Sequence, residues 1–191
     1  GQSGPQPVLL AAASAETGTD GLQYSYHTDN TATVSRYTGT ATEVVIPAEV
    51  THEDNTYKVT AIGGYAFLGD FTLTNVIIPE GVTEIAYYAF AGCTSLTNVT
   101  IPEGVTHIGN RAFWGCTSLT SVSLPASLTE CGEAFYRLNL TKVTFATPQP
   151  PDFIWILPED RPPAFWGSTI EQIQLPEGAD EQKWRVALER A

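Results

Sequence analysis

The dipeptide Ala-Phe recurs at Ala66-Phe67, Ala89-Phe90, Ala112-Phe113, Ala134-Phe135 and Ala164-Phe165, and this near-constant spacing constrains the fold more than any other feature of the chain. Two copies align without a gap: FTLTNVIIPEGVTEIAYYAFAGC from Phe71 to Cys93, and TSLTNVTIPEGVTHIGNRAFWGC from Thr94 to Cys116, a period of about 23 residues. Thr117 to Asn139 is a third, slightly shortened copy. Thr42 to Asp70 is an earlier one stretched by a polar insertion around Thr51 to Tyr57. Leu140 to Phe165 is a later one with a longer insertion, and Ile170 to Pro176 carries the strand of a sixth. A unit this short cannot bury its own apolar face, so the copies must stack and share one core.

Each rung is readable in physical terms. Val99 and Ile101 alternate with Asn98 and Thr100, which is the period of a half-buried strand. Ile101-Pro102-Glu103-Gly104 suits a type I turn, with Pro in the second place and Gly in the fourth. Val105 and Ile108 then point inward, and Ala112-Phe113 supplies a small residue and a large plug before Gly115 permits the next corner. Stacked rungs lie about 4.8 Å apart, the spacing of paired strands.

The run from Leu96 to Cys116 resembles the BspA-like leucine-rich repeats, whose pattern LTxVxIPxxVxxIGxxAFxxC it follows almost position for position, and the resemblance extends from about Thr40 to Pro176. It implies an exported bacterial protein, extracellular or at the cell surface, and some members are adhesins for host matrix proteins or other microbes. It implies no particular ligand. The expected fold is a mainly β, right-handed leucine-rich-repeat solenoid with a parallel sheet, an N-terminal hairpin cap and a C-terminal helix cap.

The flanks fit that expectation, because a terminal rung exposes strand edges and core. Leu22 to His27 and Ala32 to Tyr37 alternate around Thr28-Asp29-Asn30-Thr31, as a hairpin does. At the other end Asp180 is a candidate N-cap, and Trp184 and Leu188 give the following helix one apolar face. The organisation expected is a linker over 1–20 and one domain over 21–191, with the hairpin at 21–41, repeats at 42–176 interrupted by an insertion at 146–163, and the helix at 177–191. Val8 to Ala15 ends like a secretory signal but lacks a basic leader, and reads instead as a linker left after processing.

Nine Lys and Arg stand against 21 Asp and Glu, a net charge of -12 that repels phosphate backbones and anionic lipid and so disfavours nucleic acid and membrane surfaces as partners. No run approaches the roughly 18 apolar residues of a membrane span. Cys93, Cys116 and Cys131 read as buried free thiols. A Cys93–Cys116 bridge is the alternative, since the two share a rung position, although parallel side chains do not favour the dihedral. Without Cys-x-x-Cys, and with His27, His52 and His107 in a hairpin, an insertion and a turn-side rung position that suggest no common site, neither a metal centre nor a catalytic site is expected, and no cofactor. Glu80, Glu103 and Glu177 recur after the turn prolines and read as solvated turn residues. Asn98-Val99-Thr100 and Asn139-Leu140-Thr141 match the glycosylation pattern but sit in strands.

Three surfaces remain for binding. One is the outward ladder of the main sheet: Val45, Ile77, Thr100, Ser123, Thr144 and Gln174 in one column, beside Glu43, Asn75, Asn98, Ser121, Lys142 and Gln172. Another is the residue after each plug, where Trp114, Tyr136 and Trp166 form an aromatic stripe suited to sugar rings or protein hot spots, or simply cover the core. The third is the proline-rich insertion Ala146 to Pro163 around Phe153-Ile154-Trp155-Ile156-Leu157, which either seals the last rungs or offers an apolar patch. The functional expectation is protein binding or adhesion, docked on the ladder with Trp155 as anchor. The alternatives are carbohydrate binding by the stripe and a structural spacer within a larger envelope protein.

Overall fold

The computed structural model describes residues 21–151, 168 and 170–189. The strands are β1 (Leu22–Tyr26), β2 (Thr31–Tyr37), β3 (Glu43–Val45), β4 (Glu49–His52), β5 (Asn55–Ile62), β6 (Asn75–Ile77), β7 (Glu84–Ile85), β8 (Asn98–Thr100), β9 (His107–Ile108), β10 (Ser121–Leu124), β11 (Lys142–Phe145) and β12 (Gln172–Gln174), followed by a helix over Glu181–Glu189. Each regular rung contributes a strand to a first side, a shorter strand to a second side and a corner that leads to the next rung.

On the first side, β3, β6 and β8 pair in parallel with Val44, Val76 and Val99 aligned, and β10, β11 and β12 pair in parallel with Val122, Val143 and Ile173 aligned. The expectation of one continuous sheet is corrected here: β8 and β10 are neighbours but form no ladder. Val99 and Ile101 are each 8% exposed where Val76 and Ile78 are 0% and 2%, so the rungs splay slightly at this level. On the second side, β2, β5, β7 and β9 run parallel in that order, and β1 pairs antiparallel with β2. The insertion near Thr51 to Tyr57 is itself a hairpin, β4 against β5, turned by Glu53 and Asp54 in the left-handed region.

Strand alternation fills the core with Val, Ile and Leu, while the plugs form a second ladder along the corner. Phe67, Phe90, Phe113 and Phe135 stack at 4.8, 5.3 and 5.5 Å with planes within 15°. At its start Tyr37 from β2 stacks on Phe67 at 5.2 Å. At the far end of the core Trp184 of the helix is buried against Phe145, ring centroids 4.5 Å apart. Asp180 accepts a bond from Lys183 N at 3.1 Å, the contact of an N-cap residue. Ile173 departs from its rung pattern. It is 42% exposed, whereas Val143 beside it is 1% exposed. An inward-facing residue is buried only if something covers it, and the described helix places its buried Trp184 on Phe145.

The turn after each first-side strand also differs from expectation. Val82 and Val105 donate to the carbonyls of Pro79 and Pro102, which makes Pro the first residue and Gly the third, and Gly81 and Gly104 have φ of 100° and 102°. A type II turn requires positive φ at its third position, so the glycine dictates type II shifted by one residue. In the third copy Ser127 replaces that glycine without positive φ. Its Oγ donates to Val105 O and accepts from Gly104 N, tying the two turns together.

The abundant threonine has a structural use. Thr74 and Thr97 hydroxyls donate to the carbonyls of Thr42 and Thr74 on the first side, and Thr83, Thr106 and Thr129 to those of Thr60, Thr83 and Thr106 on the second. Each hydroxyl thus adds a rung-to-rung bond beside the backbone ladder.

Candidate binding surfaces

The strand registers place the predicted outward columns as drawn. Val45, Ile77 and Thr100 align across β3, β6 and β8, and Ser123, Thr144 and Gln174 across β10, β11 and β12. The neighbouring column of Glu43, Asn75 and Asn98, then Ser121, Lys142 and Gln172, aligns equally. Asn98, Thr100, Ser121 and Ser123 are exposed, and Lys142 and Thr144 are half-buried. Val45 and Ile77, adjacent in register, are 63% and 41% exposed and form an apolar spot at one end of an otherwise short, neutral face. The missing ladder between β8 and β10 divides this surface into two halves.

Of the aromatic stripe, Trp114 and Tyr136 lie within the described residues; Trp166 lies outside them, as do Trp155 and the rest of Phe153 to Leu157. Trp114 and Tyr136 are both half-buried. Tyr136 lies under two cations, with Arg111 at 4.8 Å and Arg137 at 5.6 Å from its ring, and Arg111 also pairs with the buried Glu133 at 3.4 Å. Its ring is therefore engaged within the chain rather than presented as an open sugar platform.

A different set of aromatics is exposed. Tyr65 and Tyr88, each just before the Ala-Phe pair, stack at 5.2 Å with planes 15° apart, and Tyr87 meets Tyr65 edge-on at 5.3 Å. Tyr65 and Tyr87 are 49% and 52% exposed. The signal was present in sequence as Tyr-Ala-Phe in two successive copies; Tyr65 and Tyr88, like Arg111 at the same place in the next copy, sit on left-handed backbone, φ 61°, 54° and 54°.

The three cysteines are buried and stand outside any disulfide. Cys93 and Cys116 thiols donate to the carbonyls of Phe67 and Phe90, each one rung back. Hydrogen bonding with Cys93, together with burial, pushes the Cys116 thiol well above its ordinary range, which holds it protonated and unreactive at neutral pH. His27 bonds Thr33, and His52 stacks on Tyr26 at 4.2 Å at the same hairpin end, while His107 sits apart in β9, 3.4 Å from Glu130. Among the described residues no three His, Cys, Asp or Glu side chains converge as metal ligands. Glu103 accepts a bond from Ala126 N, so it ties one turn to the next. Asn139 Nδ2 donates to Thr117 O, whereas Asn98 is exposed in β8.

Comparison with known proteins accords with this geometry. A family model described as BspA type leucine rich repeat region matches residues 42–149 in six copies. The chain belongs to this family. Among solved structures, this BspA-type chain is similar to a leucine-rich repeat protein from Bacteroides capillosus at 34% identity and TM-score 0.63, covering 66% of this chain and 95% of that one. It is similar to another from Bacteroides ovatus at 32% identity and TM-score 0.68, covering 82% and 40%. A leucine rich cell surface protein from Faecalibacterium prausnitzii is 34% identical with TM-score 0.61, covering 83% and 42%. The chain thus spans nearly all of the first but under half of the other two. No curated protein matches its sequence.

Proposed function

We propose that this chain is a non-enzymatic binding module of a bacterial cell-surface or secreted protein, and that its outward strand ladder docks a protein partner in adhesion. The observation that carries the reading is the aligned outward column itself, in which short neutral side chains flank an exposed Val45–Ile77 pair. A polar face contributes little binding energy alone, and an apolar spot beside it supplies what a hot spot needs. The cell-surface description of a 34% identical relative supports the location. In this reading the hairpin and the helix cap the stack, a role supported by the contacts of Tyr37 with Phe67 and of Trp184 with Phe145. Trp155 remains part of the proposal as a second anchor from the neighbouring insertion.

The test is binding to a panel of immobilised host matrix proteins by wild type and by a Val45→Glu/Ile77→Glu double variant. Both side chains are exposed, so the melting temperature should hold while binding falls at least about tenfold, the equivalent of roughly 1.4 kcal/mol. Equal binding by both proteins would move the partner off this face.

A further inference from the structure

We propose a second site on another face: a platform of Tyr65, Tyr87 and Tyr88 at the corner of the first rungs that binds a neutral oligosaccharide. Core packing does not account for these rings. Tyr65 and Tyr87 are about half exposed, and the plugs beside them, Phe67 and Phe90, already fill the interior at 1% and 0% exposure. Tyr65 and Tyr88 occupy left-handed backbone, as Arg111 does at the same place in the next rung, so the corner of the repeat itself sets their conformation. The rings order one another, Tyr65 face-on to Tyr88 and edge-on to Tyr87, so little side-chain freedom is left to lose on binding.

The end of the Tyr87 ring rests over Gly64. A Cβ built there would come within 2.6 Å of both Cε2 and Cζ, so the platform keeps its shape because that position has no side chain. On the next rung the position of Tyr87 is taken by Asn110, whose carbonyl accepts from Tyr88 N at 3.1 Å and so ties the platform to that rung. The site thus combines aromatic surface with phenol hydroxyls.

The chemistry of a pyranose matches this, with an apolar C–H face for the rings and a rim of hydroxyls for the phenols. Tyr65 and Tyr88 are stacked on each other, so it is the half-exposed Tyr87 ring that stands open to a sugar unit. The three tyrosines with the exposed Leu68 beside Tyr65 make a patch on the order of 300 Å², below the roughly 800 Å² per partner of a stable protein interface. The net charge of -12 turns away anionic glycans and leaves neutral ones.

The experiment is calorimetric titration with cellohexaose, laminarihexaose and mannohexaose, with a heparin hexasaccharide as the anionic control. At least one neutral probe should bind. Tyr87→Ala should weaken it at least about tenfold. Gly64→Ala should do the same while retaining every aromatic, because Gly64 lies outside the positive-φ region and the clash falls on the tip of a side chain that can swing away. Both variants should keep the wild-type melting temperature, and Tyr136→Ala should bind normally. Failure of all three neutral probes, preference for heparin, or undiminished binding by Tyr87→Ala and Gly64→Ala would overturn the site. So would loss of a matrix protein but of no saccharide in those two variants. None of these outcomes depends on whether the strand ladder binds protein.

Discussion

Phe113 is completely buried and lies between Phe90 and Phe135, 5.3 and 5.5 Å away, so removing its ring leaves a cavity that neither neighbour can fill without breaking its own stack. Phe113→Ala should therefore cost about 3 to 5 kcal/mol in denaturant unfolding, whereas Thr100→Ser, exposed on the outward ladder, should stay within about 0.5 kcal/mol. Comparable losses at the two positions would mean that the inward and outward faces have been exchanged. Cysteine obeys the same positional logic. Each of Cys93 and Cys116 fills a small buried slot and donates to the carbonyl of the previous plug, so the odd number of thiols reflects packing rather than an unfinished disulfide framework.

At the scale of the element, the corner is as regular as the strands. Phe67, Phe90 and Phe113 amides donate to the carbonyls of Ala89, Ala112 and Ala134, and the residue two beyond each plug is Gly69, Gly92 or Gly115 with φ between 70° and 74°. In the shortened copy from Thr117 to Asn139 this place is held by Arg137 at φ 57°. An L side chain is strained there, and the exposed contact of Arg137 with Tyr136 offsets only part of that strain. Arg137→Gly is expected to stabilise the protein by about 0.5 to 1 kcal/mol, seen as a melting temperature higher by roughly 1 to 4 °C. A lower melting temperature would show that Arg137 contributes more through its side chain than its backbone costs.

At the scale of the whole molecule, the open seam between β8 and β10 raises the question of whether the stack is one folding unit. Other contacts cross the same level: Phe113 N donates to Ala134 O, Ile108 N to Glu130 O and Thr129 N to Thr106 O, each at 2.9 Å, and the phenyl stack passes through unbroken. Nearest-neighbour coupling is thus preserved on two sides of three, so calorimetry should show one transition with equal calorimetric and van't Hoff enthalpies. Two resolved transitions would place a domain boundary at the seam.

The repeat was legible in the sequence because stacking demands the same residue type at the same place in every rung; the period, the plugs and the outward columns follow from that demand, whereas the burial of Trp184 follows from the single apolar face of its helix. What depends on neighbours was not legible. The turn type hinged on which of Pro102 and Gly104 sets the register of a four-residue turn, and the insertion before Tyr57 paired with β5 because β5 offered it an edge. The seam at β8 and the exposure of Ile173 follow from how adjacent rungs sit and what covers the last one, which a single rung's sequence does not encode. The tyrosine platform had a sequence signal, yet only the bare Gly64 let the Tyr87 ring rest in place.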